Sequence, residues 1–218
     1  MNELSINNLS APSNTKKKAA VVFIIFRRPE TTKKVFQQIR EAKPEKLYVI
    51  ADGPRVGNPL EQELVDSTRK VVEEIDWPCQ VIRIYASANM GLRERIFTGL
   101  DEVFAKEESA IVLEDDCLPS SSFFEFCNEL LLKYRSDPQV ALVSGFNFAP
   151  SKKVRHDYFF SHSTYIWGWA TWASTWKAFR SSPQVESWSE EETNEIRSSF
   201  ASGTVSYTHL TLPTTPYV

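Results

Sequence analysis

The sequence predicts an α/β protein with a mainly parallel, doubly wound sheet. Three observations predict it. Short apolar runs alternate with amphipathic helical stretches from residue 20 to residue 144, the order that builds right-handed βαβ crossovers. The runs Ala20–Phe26 and Ile111–Leu113 are continuously apolar rather than alternating, as strands covered on both faces are. Acids or turn residues follow the strands directly: Asp52-Gly53-Pro54 in one place, Glu114-Asp115-Asp116 in another.

The elements are expected in this order. Ala20–Phe26 is a strand, and Thr31–Arg40 a helix with Pro29 near its start. Lys46–Ala51 is a strand ending in the Asp52-Gly53-Pro54 turn. Leu60–Ile75 is a helix with Leu64, Val65, Val71, Val72 and Ile75 on one broad face. Gln80–Tyr85 is a strand. Gly91–Lys106 is a helix with Leu92, Ile96, Leu100, Val103 and Phe104 spaced for burial. Ala110–Leu113 is the strand before the acids, Ser120–Tyr134 a helix, and Val140–Ser144 a fifth strand. After Pro150 the pattern changes. Asp157–Ser161 reads as a short strand. Trp169, Trp172 and Trp176 are spaced three and four apart, so the sequence predicts one helix face packed on the sheet. Trp167 and Gly168 precede that helix as a loop.

The chain has 218 residues, enough for one domain with a substantial core. Hydrophobic residues at 42% and charged residues at 24% fit a soluble globular protein. A net charge of −3 argues against a nucleic-acid binder, which is usually basic. Cys79, Cys117 and Cys127 lack metal-type spacing and read as free thiols of a reducing, cytoplasmic compartment. Lys16–Lys18 before Ala19–Phe26 superficially resembles a secretion signal, but Arg27-Arg28-Pro29 follows and there is no small-residue cleavage site. No run is long enough for a membrane span, so any membrane association is expected to be peripheral.

Function is expected at the carboxyl ends of the strands, where open α/β sheets place ligands. Three adjacent carboxylates, Glu114, Asp115 and Asp116, repel one another and call for positive charge. A divalent metal bridging to a phosphate supplies it, because Mg²⁺ and Mn²⁺ prefer oxygen ligands. A plain acidic loop after a core strand is the other reading. Phe26-Arg27-Arg28 and Ala51-Asp52-Gly53 end neighbouring strands. The arginines suit a diphosphate, and Asp52 suits the hydrogen-bonding edge of a nucleobase. Arg93 falls in the first turn of a helix whose N-terminus favours anions, while Arg95 reads as solvated.

These segments, together with Asn89-Met90-Gly91-Leu92-Arg93 and Trp167-Gly168-Trp169-Ala170-Thr171-Trp172, resemble glycosyltransferases of the GT-A fold. The family 2 type is the nearer likeness and the N-acetylglucosaminyltransferase I family the more distant. The resemblance covers about residues 19–180. It implies a Rossmann-like three-layer sandwich and a metal-assisted, inverting transfer. A hexosyl or N-acetylhexosaminyl group would pass from a nucleotide-diphosphate sugar, UDP-sugar favoured, to a glycan or lipid-linked acceptor in polysaccharide biosynthesis. It implies Asp116 as principal metal ligand for Mn²⁺ or Mg²⁺. Phe26, Arg27, Asp52, Arg93, Glu114 and Asp115 would hold the nucleotide. Trp167, Gly168 and Trp169 would shape the donor-sugar and acceptor side. The family's catalytic carboxylate comes from a segment after the aromatic helix. Here Glu186, Glu190, Glu191 and Glu192 occupy that stretch and read as a solvated helix start, leaving Glu190 and Glu191 as weak candidates.

Residues 1–18 are polar and read as a disordered segment. Residues 19–150 form the nucleotide-sugar-binding α/β half and 151–204 a partial acceptor-side region. Val205–Thr214 resembles the translation of sequencing-adapter DNA, so 205–218 reads as a foreign tail on a C-terminally truncated chain. Two alternatives stay open. One is a non-catalytic nucleotide- or sugar-binding fragment. The other is a nucleotidyltransferase like the sugar-nucleotide pyrophosphorylases, although Phe26-Arg27-Arg28-Pro29 lacks the glycines its nucleotide loop would want.

Overall fold

A computed structural model describes residues 18–146, 158–161 and 164–182. The weak catalytic candidates Glu190 and Glu191, nearly all of the segment 1–18, most of 151–204 and the tail 205–218 lie outside the described residues.

Eleven elements follow one another in this region. They are β1 (Ala20–Ile25), α1 (Pro29–Ala42), β2 (Lys46–Ala51), α2 (Pro59–Val71), β3 (Gln80–Tyr85), α3 (Leu92–Phe104), β4 (Ser109–Glu114), α4 (Phe123–Lys133), β5 (Val143–Ser144), β6 (Trp169–Trp172) and α5 (Ala173–Arg180). The sheet order is β3-β2-β1-β4-β6-β5. The first four of these strands run parallel, and β6 joins β4 antiparallel. This is the expected α/β architecture with a mainly parallel central sheet.

Every residue of β1 is buried, because helices cover both faces. One core cluster joins Phe23, Ile39, Leu113, Phe124, Leu130 and Trp172. The other joins Val22, Ile50, Leu100, Val103, Trp169 and Trp176. Helices α1 and α4 thus lie on one face and α3 and α5 on the other. Each fully buried Val, Leu, Ile or Phe contributes about 1.5–3 kcal/mol.

Three expectations are corrected. Trp169 and Trp172 do not share a helix face. They lie in β6, in the register Val112↔Trp169 and Ser109↔Trp172, and residues an odd number apart on a strand face opposite ways. Trp169 therefore enters the α3/α5 core and Trp172 the α1/α4 core. Trp176 alone sits on a helix, its indole donating to Asp101 Oδ1 at 2.7 Å. The fifth strand shrinks to Val143–Ser144, because β6 offers it only Trp169 and Ala170; the Thr171 hydroxyl takes the Ala141 carbonyl instead, at 2.7 Å. Tyr158–Ser161 forms no strand. Tyr158 turns to α4 and meets the Tyr134 hydroxyl at 2.6 Å.

Candidate functional site

The loops after β1, β2, β3 and β4 gather at one edge of the sheet, because parallel strands end on the same side. The loop after β1 meets the acids at the end of β4. The Phe26 N–H donates to Asp115 Oδ2 at 3.2 Å. Arg28 Nη1 pairs with Asp116 Oδ2 and lies 3.3 Å from Asp115 Oδ1. The positive charge the acids require is thus present as a guanidinium. It is one cation against three carboxyl groups. Burial, then the charges of Asp116 and Asp115, push the Glu114 carboxyl up to about 8. Burial outweighs the opposing pull of Arg28 and raises Asp115 to about 6.

Arg27 turns the other way, to Glu61 in the first turn of α2. Glu61 is only 1% exposed and also takes the Arg55 N–H at 2.9 Å and the Arg55 guanidinium at 2.7 Å. Both arginines lie over the Phe26 ring, at 5.6 and 5.9 Å from its centroid. Sequence reasoning missed Glu61 and Arg55. The available signal was Asn58-Pro59-Leu60-Glu61, the spacing of a helix cap, and Asn58 Oδ1 does accept the Glu61 N–H at 3.1 Å. The Glu61 side chain, however, serves the two arginines.

Asp52 lies at this edge but is fully engaged. Its Oδ1 accepts the N–H groups of Gly53 at 2.8 Å and Met90 at 2.9 Å. Its Oδ2 accepts Asn89 Nδ2 and the Gly91 N–H, both at 3.0 Å. Four donors occupy the carboxylate, so in this structure Asp52 fastens the β2 loop to the β3–α3 loop, and the expected free edge for a nucleobase is absent. Arg69 reinforces the junction, donating to the carbonyls of Asp52 at 3.0 Å and Ala86 at 2.8 Å.

Arg93 is exposed in the first turn of α3, its guanidinium 5.3 Å from the Phe97 ring centroid. Arg95, expected in solvent, is 6% exposed instead. Helical side chains lean toward the N-terminus, and its Nη1 reaches Met90 Sδ at 3.6 Å. Trp169 is buried in the core. Trp167 is half-buried against Phe146, with ring centroids 4.5 Å apart. Gly168, at φ +74°, accepts the Gly145 N–H at 2.8 Å. Of the three, Trp167 retains a face outside the sheet core.

Clefts open on two sides of the described region. One of about 340 Å³ runs between Pro54–Pro59 and Ser87-Ala88, at the strand-end edge. A larger one of about 500 Å³ lies between α3 and α5. The larger begins where the Ala173 N–H meets the Glu108 carbonyl, just before β4, and the acids stand at the opposite end of that strand. The smaller cleft belongs to the candidate site.

Among the described residues no three or more His, Cys, Asp or Glu side chains form a group that could hold a metal ion. A Mg²⁺-type site does not need one, since such ions bind one or two carboxylates plus substrate phosphates. The oxygen-only pair Asp115 and Asp116, two carboxylates facing the one guanidinium of Arg28, fits that chemistry. Among the described residues no helix is long and apolar enough to cross a membrane.

No protein-family model matches the chain. No curated protein matches it either. Among solved structures, the chain is similar to 4-diphosphocytidyl-2C-methyl-D-erythritol synthase from Anaerococcus prevotii DSM 20548, at 14% identity and a TM-score of 0.44. The match covers 82% of this chain and 83% of that one. A likeness of that degree carries no argument about activity.

Proposed function

We propose that this chain binds a nucleoside-diphosphate sugar at the strand-end edge and serves glycosyl transfer, with a UDP-sugar as donor. The observation that carries the reading is the meeting of Arg28, from the end of β1, with Asp115 and Asp116, from the end of β4. Acids and cations in one loop cluster suit a diphosphate with its divalent counter-ion. Asp116, with Asp115 beside it, would hold Mn²⁺ or Mg²⁺. When bound, the ion supplies positive charge to a leaving diphosphate. Arg27 and Arg55, fixed by buried Glu61, flank Phe26 and give the nucleotide a cationic wall. The cleft beside Pro54–Pro59 gives room for part of the donor. Trp167 faces the sugar side, and a glycan or lipid-linked hydroxyl is the acceptor.

Nucleotidyl transfer is the second reading, and it rests on the same edge, acids and cations. Product analysis separates the two. With UDP-glucose, UDP-galactose or UDP-N-acetylglucosamine and Mn²⁺, glycosyl transfer or donor hydrolysis releases UDP. Nucleotidyl transfer consumes UTP or CTP with a sugar phosphate and releases pyrophosphate. UDP release that Asp116→Asn abolishes supports the first reading. Pyrophosphate release without UDP release replaces it with the second.

A further inference from the structure

We propose that Arg28 is a diphosphate-contacting residue with two stations: it neutralises Asp115 and Asp116 while no divalent ion is bound, and engages the diphosphate once an ion takes those carboxylates. The inference rests on the nucleotide-site reading above.

Three observations carry it. First, the ion and the guanidinium want the same atom. Arg28 Nη1 sits on Asp116 Oδ2, and a carboxylate oxygen held by a guanidinium is not free to coordinate a metal. The two occupants therefore compete. Second, the partners are unequally fixed. The side chains of Asp115 and Asp116 are 9% and 14% exposed, whereas that of Arg28 is 44% exposed. The acids form the frame and Arg28 is the piece able to leave. A divalent ion that takes the acids replaces the guanidinium's charge, so the buried carboxylates stay neutralised when Arg28 leaves. Third, the move needs no backbone change. Arg28 is the N-cap of α1. Its carbonyl accepts the Thr32 N–H at 3.0 Å and the Thr31 hydroxyl at 3.2 Å. Its backbone stays pinned while the side chain turns. Both contacts to the acids use Nη1, so the planar fork that suits a phosphate bidentately is not spent on them.

The arrangement makes metal and diphosphate binding mutually supportive: the ion releases the guanidinium that the diphosphate needs. It also gives opposite signs for one substitution. Calorimetry on the full chain tests this with wild type, Arg28→Gln and Arg28→Lys. Arg28→Gln removes the competing cation, so Mn²⁺ alone should bind about fivefold tighter or more. The same variant, saturated with Mn²⁺, should bind UDP roughly tenfold weaker. Arg28→Lys keeps the charge but not the fork, so its Mn²⁺ affinity should stay near wild type while UDP weakens. A purely structural Arg28 would weaken both ligands in Arg28→Gln, and that result overturns the proposal, as does unchanged UDP binding in either variant. Should Arg28→Gln not fold, Arg28→Lys decides alone: UDP loss at preserved Mn²⁺ affinity supports it, and no UDP loss overturns it. Wild type binding neither Mn²⁺ nor UDP would sink the nucleotide-site reading itself, and this inference with it. Wild type binding both, with Arg28 variants indifferent, would sink this inference alone.

Discussion

Asp52 caps the approach to α3 from the end of β2: its Oδ2 accepts the Gly91 N–H at 3.0 Å while its Oδ1 accepts Met90 N–H at 2.9 Å. A buried carboxylate that satisfies several N–H groups leaves them orphaned when it is removed, at about 1–3 kcal/mol for each group left without a partner. Asp52→Ala should therefore cost about 4 kcal/mol or more, a fall of roughly 8 °C or more in thermal midpoint for a chain of this size. Because the loss acts through loop geometry, UDP and inorganic pyrophosphate should weaken together in calorimetry. A loss confined to UDP, with stability intact, would return Asp52 to base recognition.

The residue after Asp52 is tested by size alone. A Cβ added at Gly53 would stand 2.5 Å from the Ala88 carbonyl carbon and 2.6 Å from its nitrogen. Both contacts are backbone, so the Ser87-Ala88 side of the small cleft must move. Gly53→Ala should cost about 1–3 kcal/mol in urea unfolding. Gly57 lies on the same loop at φ +79° with nothing within 4 Å of a Cβ. Gly57→Ala meets no neighbouring atom but puts a side chain at a left-handed φ, at a cost of about 1–2 kcal/mol, and should leave the Ser87-Ala88 backbone where it is. A Gly53→Ala variant as stable as wild type would show that the close approach of Gly53 to Ala88 is not what matters.

Glu61 gives the site an acid-sensitive hinge. The Arg55 N–H first, then the Arg55 and Arg27 guanidiniums, hold its carboxyl below the ordinary glutamate value of 4.5. The folded state thus binds this proton more weakly than the unfolded chain does. Its contribution to stability is present above pH 4.5 and is lost as the pH falls toward the depressed folded value. Glu61→Gln should lower the urea midpoint at pH 7, and the gap to wild type should close near pH 3. A gap that stays constant across that range would exclude the ion pairs as its source.

The parts of this fold that local chemistry decides were legible. Strands β2 and β3 begin and end where the sequence places them, because apolar runs are bounded by turn residues on both sides. The repulsion among Glu114, Asp115 and Asp116 correctly demanded a cation, but only the fold brings Arg28, 88 residues earlier than Asp116, into contact. The tryptophans were misread for a nonlocal reason. Spacings of three and four are helical by period, yet the open flank of β4 recruits Trp169–Trp172 as a strand. Trp and Thr suit that environment, and Gly168 at φ +74° turns the chain into it. Arg95 was misread because a charged residue in a helical pattern defaults to the wet face. Its burial follows from Gly99 one turn later, where the missing side chain leaves room for the guanidinium.

That burial makes Arg95 the site of an opposite kind of prediction. Its Nη2 lies 3.0 Å from where a Gly99 Cβ would stand, beside Ile50. Among the described residues neither Nη2 nor Nε has a hydrogen-bond partner, and no carboxylate pairs with it. The contact of Nη1 with Met90 Sδ at 3.6 Å is a weak substitute for water. A guanidinium with unmet donors at a helix–sheet boundary costs stability rather than adding it. Arg95→Met keeps an unbranched side chain of similar reach and removes the charge. It should stabilise the protein by about 1–3 kcal/mol, raising the thermal midpoint by roughly 2–4 °C for each kcal/mol. Arg95→Lys keeps the charge and should give no such gain. The two variants are compared by urea unfolding, with UDP calorimetry alongside. A destabilised Arg95→Met would mean that the guanidinium is satisfied after all. A stabilised variant that loses UDP would mean that its positive charge, kept at a cost to the fold, reaches the nucleotide edge through the start of α3.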